Sequence, residues 1–229
     1  MASGHDAIAL AVDSALTAIH GQWESDLAAH LVLAGGRSGS DVAAGIAAGL
    51  TEPRPKVLHL WFADERFVEY GDPDRNDFAL IKAFASVGCT LVVHRYGTPS
   101  SVDFAYAARH YVTELQRALG DEPFTIVILS MGEDGHVASI FPSRAESAGD
   151  VFAVDDAPKA PPRRISLSLD RLAKNNGCLL LALGGSKSSA IRALIDEDLS
   201  LPATLLAMKT PLILITDQPI GNQVEASQS

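Results

Sequence analysis

Residues 125–142 constrain the fold more than any other stretch of the chain. The strand-forming run Thr125-Ile-Val-Ile-Leu129 leads directly into Ser130-Met-Gly-Glu-Asp-Gly-His136 and then into Val137-Ala-Ser-Ile-Phe-Pro142. An apolar run followed by a glycine-rich polar segment is typical of a buried parallel strand, and open α/β sheets bind ligands at the carboxyl ends of such strands. We therefore expect a functional site at residues 130–136.

Asp134 and His136 are two residues apart in this segment. A carboxylate this close can fix the tautomer and orientation of an imidazole, as a general base requires. Side chains two residues apart on a helix face different directions, so the pairing needs the non-helical turn that Gly132 and Gly135 permit. The alternative is that Asp134 caps a short helix running to Phe141, with His136 on the surface. The spacing does not decide between these two interpretations.

Strand-like runs alternate with helical patterns along the chain. The expected strands are residues 30–34, 56–62, 90–94, 125–129, 151–154, 163–169, 179–183 and 211–215, and the expected helices are residues 4–24, 42–50, 78–86, 102–119, 188–196 and 202–208. This alternation predicts an α/β fold with a largely parallel sheet and helices on both faces. Residues 221–229 are expected to form a frayed tail.

The size and charge of the chain limit its possible functions. It has 229 residues, of which 47% are hydrophobic, and no visible linker or repeat, so we expect a single domain over residues 1–229. The formal net charge of −10 argues against binding to nucleic acid, because binding to its phosphates requires a basic surface. Any anionic ligand must therefore meet a local cluster of positive groups.

The cysteines and the N-terminal segment indicate the cellular setting. Cys89 and Cys178 show neither disulfide nor metal-ligand spacing, which is typical of small buried hydrophobic residues in a reducing compartment. The N-terminus has no basic region followed by an apolar core, and no stretch approaches the roughly 18 apolar residues of a membrane span. The histidines other than His136 have no ligand-like spacing. We expect a cytoplasmic protein with no metal site and no membrane contact.

A glycine-rich segment follows the first expected strand. Gly35-Gly-Arg-Ser-Gly-Ser-Asp41 precedes a predicted helix, whose N-terminal amides and dipole favour a phosphate, and Arg37 and Ser38 could add donors. The segment matches neither G-x-G-x-x-G nor the Walker pattern. It also has Ser40 in place of the last glycine of a G-x-S-x-G elbow, which argues against a serine nucleophile. The alternative is a tight turn with Ser38 or Ser40 as helix cap.

Two further polar loops follow predicted strands. In Asp64-Glu-Arg66, Arg66 is a candidate anion or oxyanion donor that Asp64 would orient, and surface ion pairing is the alternative. In Gly184-Gly-Ser-Lys187, Lys187 lies at a predicted helix start, where a cation opposes the dipole, so it is expected to serve a bound anion.

Residues near two other predicted elements are weaker candidates. Arg164 lies at the start of a predicted strand, from which it could point towards the same site. Asn76 or Asp77 is expected only to cap the helix at residues 78–86.

Together these loops closely resemble the 6-phosphogluconolactonase family, within the wider group that includes the glucosamine-6-phosphate isomerases and deaminases. The resemblance extends from the first glycine segment to residues 202–206, and its most specific part is residues 131–142. It implies a Rossmann-like α/β domain, hydrolysis of 6-phospho-D-glucono-1,5-lactone in the oxidative pentose phosphate pathway, and no cofactor. The expected partner is a phosphorylated sugar lactone, and the chain is expected to be a monomer or weak dimer.

The resemblance also implies roles for individual residues. His136 would deprotonate the attacking water, Asp134 would orient His136, and Arg66 would stabilise the oxyanion or hold the phosphate. Asp64 is the next candidate for the base. The residues expected to bind the substrate phosphate are Gly35, Gly36, Arg37, Ser38, Gly39, Arg164 and Lys187.

Two features favour a lactonase over its isomerase relatives. The isomerases carry a glutamate that assists ring opening where this chain has Ile140-Phe-Pro142, and a tyrosine where it has Arg66. An isomerase or deaminase would need a second proton-transferring group beside His136. A non-catalytic sugar-phosphate sensor would keep Lys187 and the glycine segments but would not need Asp134. Such a regulator would normally also carry a DNA-binding segment, and none is visible in the sequence.

Overall fold

The computed structural model of the chain describes residues 3–142 and 149–220. The strands in these residues are β1 (Ala29–Leu33), β2 (Val57–Phe62), β3 (Asp64–Arg66), β4 (Thr90–Val93), β5 (Ile126–Ser130), β6 (Val151–Val154), β7 (Arg164–Leu167), β8 (Cys178–Ala182) and β9 (Ile213–Thr216). The α-helices are α1 (Gly4–Glu24), α2 (Gly36–Gly49), α3 (Asn76–Ala83), α4 (Phe104–Ala118), α5 (Leu169–Ala173), α6 (Ser188–Ile195) and α7 (Pro202–Lys209). The tail expected at residues 221–229 lies outside the described residues.

The central sheet has six strands in the order β4-β2-β1-β5-β8-β9, and every neighbouring pair is parallel. All five residues of β1 and of β8 are buried, as expected for strands covered by helices on both faces. The prediction of an α/β, Rossmann-like fold with a largely parallel sheet is confirmed. The strand order reverses between β1 and β5, and the crevice beyond their carboxyl ends is where such folds bind ligands.

A second sheet, which the sequence analysis missed, has three antiparallel strands in the order β3-β7-β6. Asp64-Glu-Arg66 was expected to be a loop, and that prediction is wrong because these residues pair with β7. The register sets Arg66 opposite Arg164 and Asp64 opposite Ser166. The second sheet therefore brings two arginines together that are far apart in sequence.

Helix α2 begins at Gly36, although the sequence analysis placed a loop at residues 35–41. Gly36 starts the helix with a φ of +84°, a conformation that favours glycine. Gly39 lies so close to β1 that a Cβ atom there would be 2.0 Å from the Ala34 carbonyl oxygen. This close packing lets the helix start directly after the strand, so Arg37, Ser38 and Gly39 are helical residues.

Helix α1 confirms the helix expected at residues 4–24, and it buries a stripe at Ala7, Ala11, Ala15, Ile19 and Trp23. Of the cysteines, Cys178 is buried and Cys89 is half-buried. None of the helices in the described residues is long and apolar enough to cross a membrane.

Candidate active site

A cleft of about 360 Å³ lies at the carboxyl edge of the central sheet. Of the predicted site residues, those that line it are Gly35, Gly36, Asp64, Arg66, His136, Arg164 and Lys187. Asp134 contacts the cleft through its hydrogen bond to His136. The structure therefore brings together residues from five segments that are separate in the sequence.

Asp134 and His136 form the pair that their spacing suggested. The Asp134 Oδ1 atom lies 2.5 Å from His136 Nδ1, in a turn closed by the Gly132 N–H bond to the His136 carbonyl at 2.8 Å. A Cβ atom on Gly132 would lie 1.9 Å from His136 Nδ1, so this geometry requires glycine at position 132. Residues 134–141 contain no helix, and the alternative in which Asp134 caps one is wrong.

The electrostatics of this pair suit a general base. Burial alone would raise the pKa of Asp134, but the hydrogen bonds and charge of His136 outweigh it and hold that pKa below its ordinary value. An ionised Asp134 accepts the Nδ1 hydrogen, which leaves Nε2 of the neutral imidazole as a free proton acceptor. Phe141 packs against the imidazole with 4.9 Å between ring centroids.

Asp64 is buried at the floor of the cleft, with only 6% of its surface exposed. Its Oδ2 atom accepts a hydrogen bond from Ser139 Oγ at 2.5 Å and lies 4.0 Å from Arg164 NH1, while Oδ1 accepts from Asn76 Nδ2 at 3.3 Å. The expectation that Asp64 orients Arg66 is not met, because within the described residues its contacts go to these other side chains. Asp64 is therefore held as a fixed carboxylate.

The two arginines are anchored by backbone carbonyl groups. Arg66 donates through NH1 to the Asp74 carbonyl, and its buried Nε has no hydrogen-bond partner in the described part of the chain. Arg164 donates through Nε to the Pro161 carbonyl at 3.1 Å and through NH2 to that of Lys159 at 2.9 Å. Arg66 lines the cleft and its guanidinium carries five N–H donors, so it can also bind a ligand, while Arg164 is held rigidly by the proline-rich loop.

Lys187 ends a short 3₁₀ turn immediately before α6, so its predicted place at a helix start is confirmed. Its ammonium donates to the Met131 carbonyl, which leaves two of its three hydrogens for other partners. Burial lowers the pKa of Lys187, the charge of Glu133 opposes that shift, and the nearby charge of Lys159 adds to it. Lys159 and Lys187 both line the cleft, so it contains two ammonium groups.

Three predicted phosphate contacts do not line the cleft. Because α2 begins at Gly36, only Gly35 and Gly36 reach it, whereas Arg37 is exposed and Gly39 is packed against β1. Ser38 is half-buried outside the cleft lining. The predicted cradle is thus shorter than the segment 35–39.

Two cleft residues were missed or misjudged in the sequence. Asn76 was expected to be a helix cap, but it is the first residue of α3, is 7% exposed, and donates through Nδ2 to the Asp64 carbonyl at 3.0 Å. Lys159, in the proline-rich loop, also lines the cleft. Neither position has a local sequence pattern that would have identified it.

The described residues contain no group of three or more His, Cys, Asp or Glu side chains arranged to hold a metal ion. Seven ionisable side chains of the described residues line the cleft instead. Four are cationic, namely Arg66, Lys159, Arg164 and Lys187, and the other three are Asp64, Glu133 and His136. A cleft of this composition suits an anionic ligand despite the overall acidity of the chain.

The chain thus combines an α/β fold with an imidazole–carboxylate pair and a cationic cleft at the carboxyl edge of its central sheet. The model of the family described as glucosamine-6-phosphate isomerases/6-phosphogluconolactonase matches residues 3–214. The chain belongs to this family.

Individual relatives agree with this family membership. A 6-phosphogluconolactonase from Streptomyces coelicolor is 30% identical over 220 residues, covering 87% of this chain and 83% of the relative. One from Mycobacterium tuberculosis is 33% identical over 187 residues, covering 76% of each. The crystal structure of a 6-phosphogluconolactonase from Thermotoga maritima superposes with a TM-score of 0.79 over 91% of this chain and 94% of that one, at 24% identity. The last comparison supports the fold.

Proposed function

We propose that this chain is a 6-phosphogluconolactonase, which hydrolyses 6-phospho-D-glucono-1,5-lactone to 6-phospho-D-gluconate in the oxidative pentose phosphate pathway. The observation that carries the proposal is the Asp134–His136 pair, with 2.5 Å between Oδ1 and Nδ1, in a cleft lined by four cationic side chains. The names of the relatives supply the substrate.

In the proposed reaction, His136 Nε2 removes a proton from a water molecule that attacks the lactone carbonyl carbon. The ionised Asp134 stabilises the imidazolium that forms. When the tetrahedral intermediate collapses, the ring C–O bond breaks and the imidazolium returns the proton to the departing ring oxygen. General-base assistance of this kind typically contributes about 10²- to 10⁴-fold to the rate.

The cations have two proposed tasks. Arg66, which lines the cleft, would donate to the developing oxyanion or to the phosphate. Lys187, with Lys159 and the backbone of Gly35 and Gly36 at the N-terminus of α2, would bind the phosphate. Arg164 would add charge near the phosphate without changing its own carbonyl contacts.

Phe141 favours hydrolysis over isomerisation. It packs against the His136 ring, at the place where the isomerase relatives are expected to carry a glutamate, and a phenyl ring cannot transfer a proton. Without a proton-transferring group there, ring opening and enolisation would lack their second acid or base. Glucosamine 6-phosphate should therefore be a poor substrate.

Three substrates test this proposal together. The purified protein should hydrolyse freshly prepared 6-phosphogluconolactone far faster than unphosphorylated gluconolactone, because binding of the remote phosphate positions the carbonyl. It should do so in the presence of a chelator and show no turnover of glucosamine 6-phosphate. Equal rates on the two lactones, after correction for spontaneous hydrolysis, would contradict the proposed phosphate site, and turnover of glucosamine 6-phosphate would contradict the reaction.

The proposal extends to the chain as a whole. The chain acts as one domain on a small phosphorylated lactone, and it needs no cofactor and has neither nucleic acid nor a membrane as partner. The family match over residues 3–214 and the net charge of −10 support this view. A single cooperative unfolding transition would agree with it, and two separate transitions would contradict the single domain.

A further inference from the structure

Glu65 is a buried carboxylate that lies next to the cleft but does not line it. Its side chain is 1% exposed. Oε1 accepts hydrogen bonds from the Arg66 N–H at 2.8 Å and the Asn76 N–H at 2.7 Å, and Oε2 accepts from the Asp77 N–H at 2.8 Å. Arg75 NH2 lies 3.8 Å from Oε2. One side chain thus joins β3 to the start of α3.

The start of α3 depends on this carboxylate. Arg75 occupies the N-cap position, but its side chain makes no capping hydrogen bond. The first N–H groups of a helix have no partner within the helix, and a carboxylate there satisfies them and interacts favourably with the dipole. Glu65 performs this task from 11 and 12 residues away in sequence.

The same helix start holds Asn76 in the cleft. Asn76 Nδ2 donates to the Asp64 carbonyl at 3.0 Å and to Asp64 Oδ1 at 3.3 Å. Its amide also fills the space beside Gly35, where an added Cβ would lie 1.9 Å from Asn76 Oδ1. Asn76 therefore joins the turn after β1 to β3, and its backbone position is set by Glu65.

We propose that Glu65 is a positioning residue for the proposed hydrolysis, which ties the start of α3 to β3 and so sets Asn76 and Asp64 in the cleft. Glu65 touches no atom that reacts. Its effect passes through the backbone N–H of Asn76 to the amide that contacts Asp64. This inference rests on the proposed function.

The first test compares Glu65 with a second carboxylate that accepts a backbone hydrogen bond from a distant part of the chain. Glu65→Gln keeps the size of the side chain but replaces one acceptor oxygen with an NH₂ group, which cannot accept from a backbone N–H. A small displacement of a positioning group can cost about 10²-fold, so we expect kcat/KM for the phosphorylated lactone to fall about 10- to 100-fold.

Glu69→Gln is the matched control. Glu69 accepts hydrogen bonds from the Ser100 N–H at 2.9 Å and Ser100 Oγ at 2.6 Å, but it is exposed and outside the cleft lining. Its replacement should change kcat/KM by less than about twofold. Equal effects of the two replacements would overturn the inference.

A double-mutant cycle separates positioning from a general loss of stability. If Glu65 acts through Asn76, Glu65→Gln should lower kcat/KM by less than about threefold when Asn76→Ala is already present, because coupled effects are not additive. Losses that multiply in the double variant would overturn the inference. If Glu65→Gln does not fold, the same cycle with Glu65→Asp decides between these results, since that side chain is too short to reach both N–H groups.

The failures of the two proposals are distinguishable. A wild-type protein that does not hydrolyse the phosphorylated lactone would contradict the proposed function itself. An active wild type whose Glu65→Gln variant matches Glu69→Gln would leave the proposed function intact and overturn only the role of Glu65.

Discussion

Four of the seven histidines lie in two different settings. His136 lies in the cleft, with a carboxylate 2.5 Å from Nδ1. His30, His59 and His94 instead lie together beside the central sheet, where His59 Nδ1 is 2.8 Å from His94 Nε2. Trp61 stacks on His94 with 3.6 Å between ring centroids and donates from Nε1 to His30 Nδ1 at 3.1 Å. His30 and His94 are buried and His59 is half-buried, and we call these three histidines the buried imidazole cluster.

Burial separates the two settings in their chemistry. It lowers the pKa of His30 to about 3 and that of His94 to about 4, even though Glu114 lies 3.3 Å from His94 Nδ1 and favours its charged form. Burial also lowers the pKa of His59, so the cluster is neutral at pH 7 and contributes packing. A histidine becomes a candidate base here through an ionised partner and access to a ligand, and among the histidines of the described residues only His136 lines the cleft.

We expect the largest effect in the buried imidazole cluster, where His94 makes the free energy of unfolding depend on pH. The unfolded chain protonates His94 below about pH 6.5, whereas the folded chain resists protonation until about pH 4. The contribution of neutral His94 to the free energy of unfolding is therefore fully present above pH 6.5 and is lost as the pH falls towards 4. His94→Gln removes this term, so its free energy of unfolding should fall less between pH 7 and pH 4.5 than that of the wild type, by roughly 2 to 3 kcal/mol.

Urea unfolding at the two pH values measures this difference. His110→Gln is the control, because His110 lies on α4 and is exposed. The same pH dependence in all three proteins would show that His94 is not held neutral by burial.

A smaller effect is expected from the orienting carboxylate of His136. Asp134→Asn removes the charge that fixes the Nδ1 hydrogen and stabilises the imidazolium, so kcat should fall by about tenfold or more. The loss of a neighbouring negative charge disfavours protonation, so the rise of the rate with pH should move to lower pH. Initial rates on the phosphorylated lactone from pH 5 to pH 8 measure both changes. An unchanged kcat and pH profile would show that Asp134 does not act on His136.

The smallest effect is expected from Lys187. Lys187→Ala should raise KM for the phosphorylated lactone by about tenfold, since a charged hydrogen bond to the phosphate is lost, while leaving hydrolysis of unphosphorylated gluconolactone unchanged. Lys174→Ala is the control, because Lys174 lies outside the cleft and pairs with the exposed Asp121 at 3.8 Å. A loss of thermal stability with normal kinetics would make Lys187 a structural residue.

The sequence predicted the central sheet because its signal is local. The strands β1, β5 and β8 are apolar runs buried by helices on both faces, and such runs can be recognised without knowing their partners. Strand β3 was missed because three charged residues carry no such pattern, and its partner β7 lies about one hundred residues further along the chain. Pairing of this kind depends on the tertiary fold.

The same distinction applies to the site. Asp134 and His136 could be identified because they are two residues apart and the glycine between strand and histidine is visible in the sequence. Asn76 could not, since its contacts with Asp64 and Glu65 span 12 and 11 residues, respectively. Arg37 and Ser38 were misplaced because the start of α2 is set by the close contact of Gly39 with β1.

The rate of 6-phosphogluconolactone hydrolysis by folded His136→Asn is the most direct test of the account. We expect it to be about 10²- to 10⁴-fold below the wild-type rate and to lose its rise with pH, while 6-phosphogluconate still binds because the phosphate contacts lie on other segments. His59→Gln, in the buried imidazole cluster, should keep the wild-type pH dependence under conditions where it is folded. Hydrolysis by His136→Asn at the wild-type rate and with the wild-type pH profile would contradict the assignment of His136 as the base.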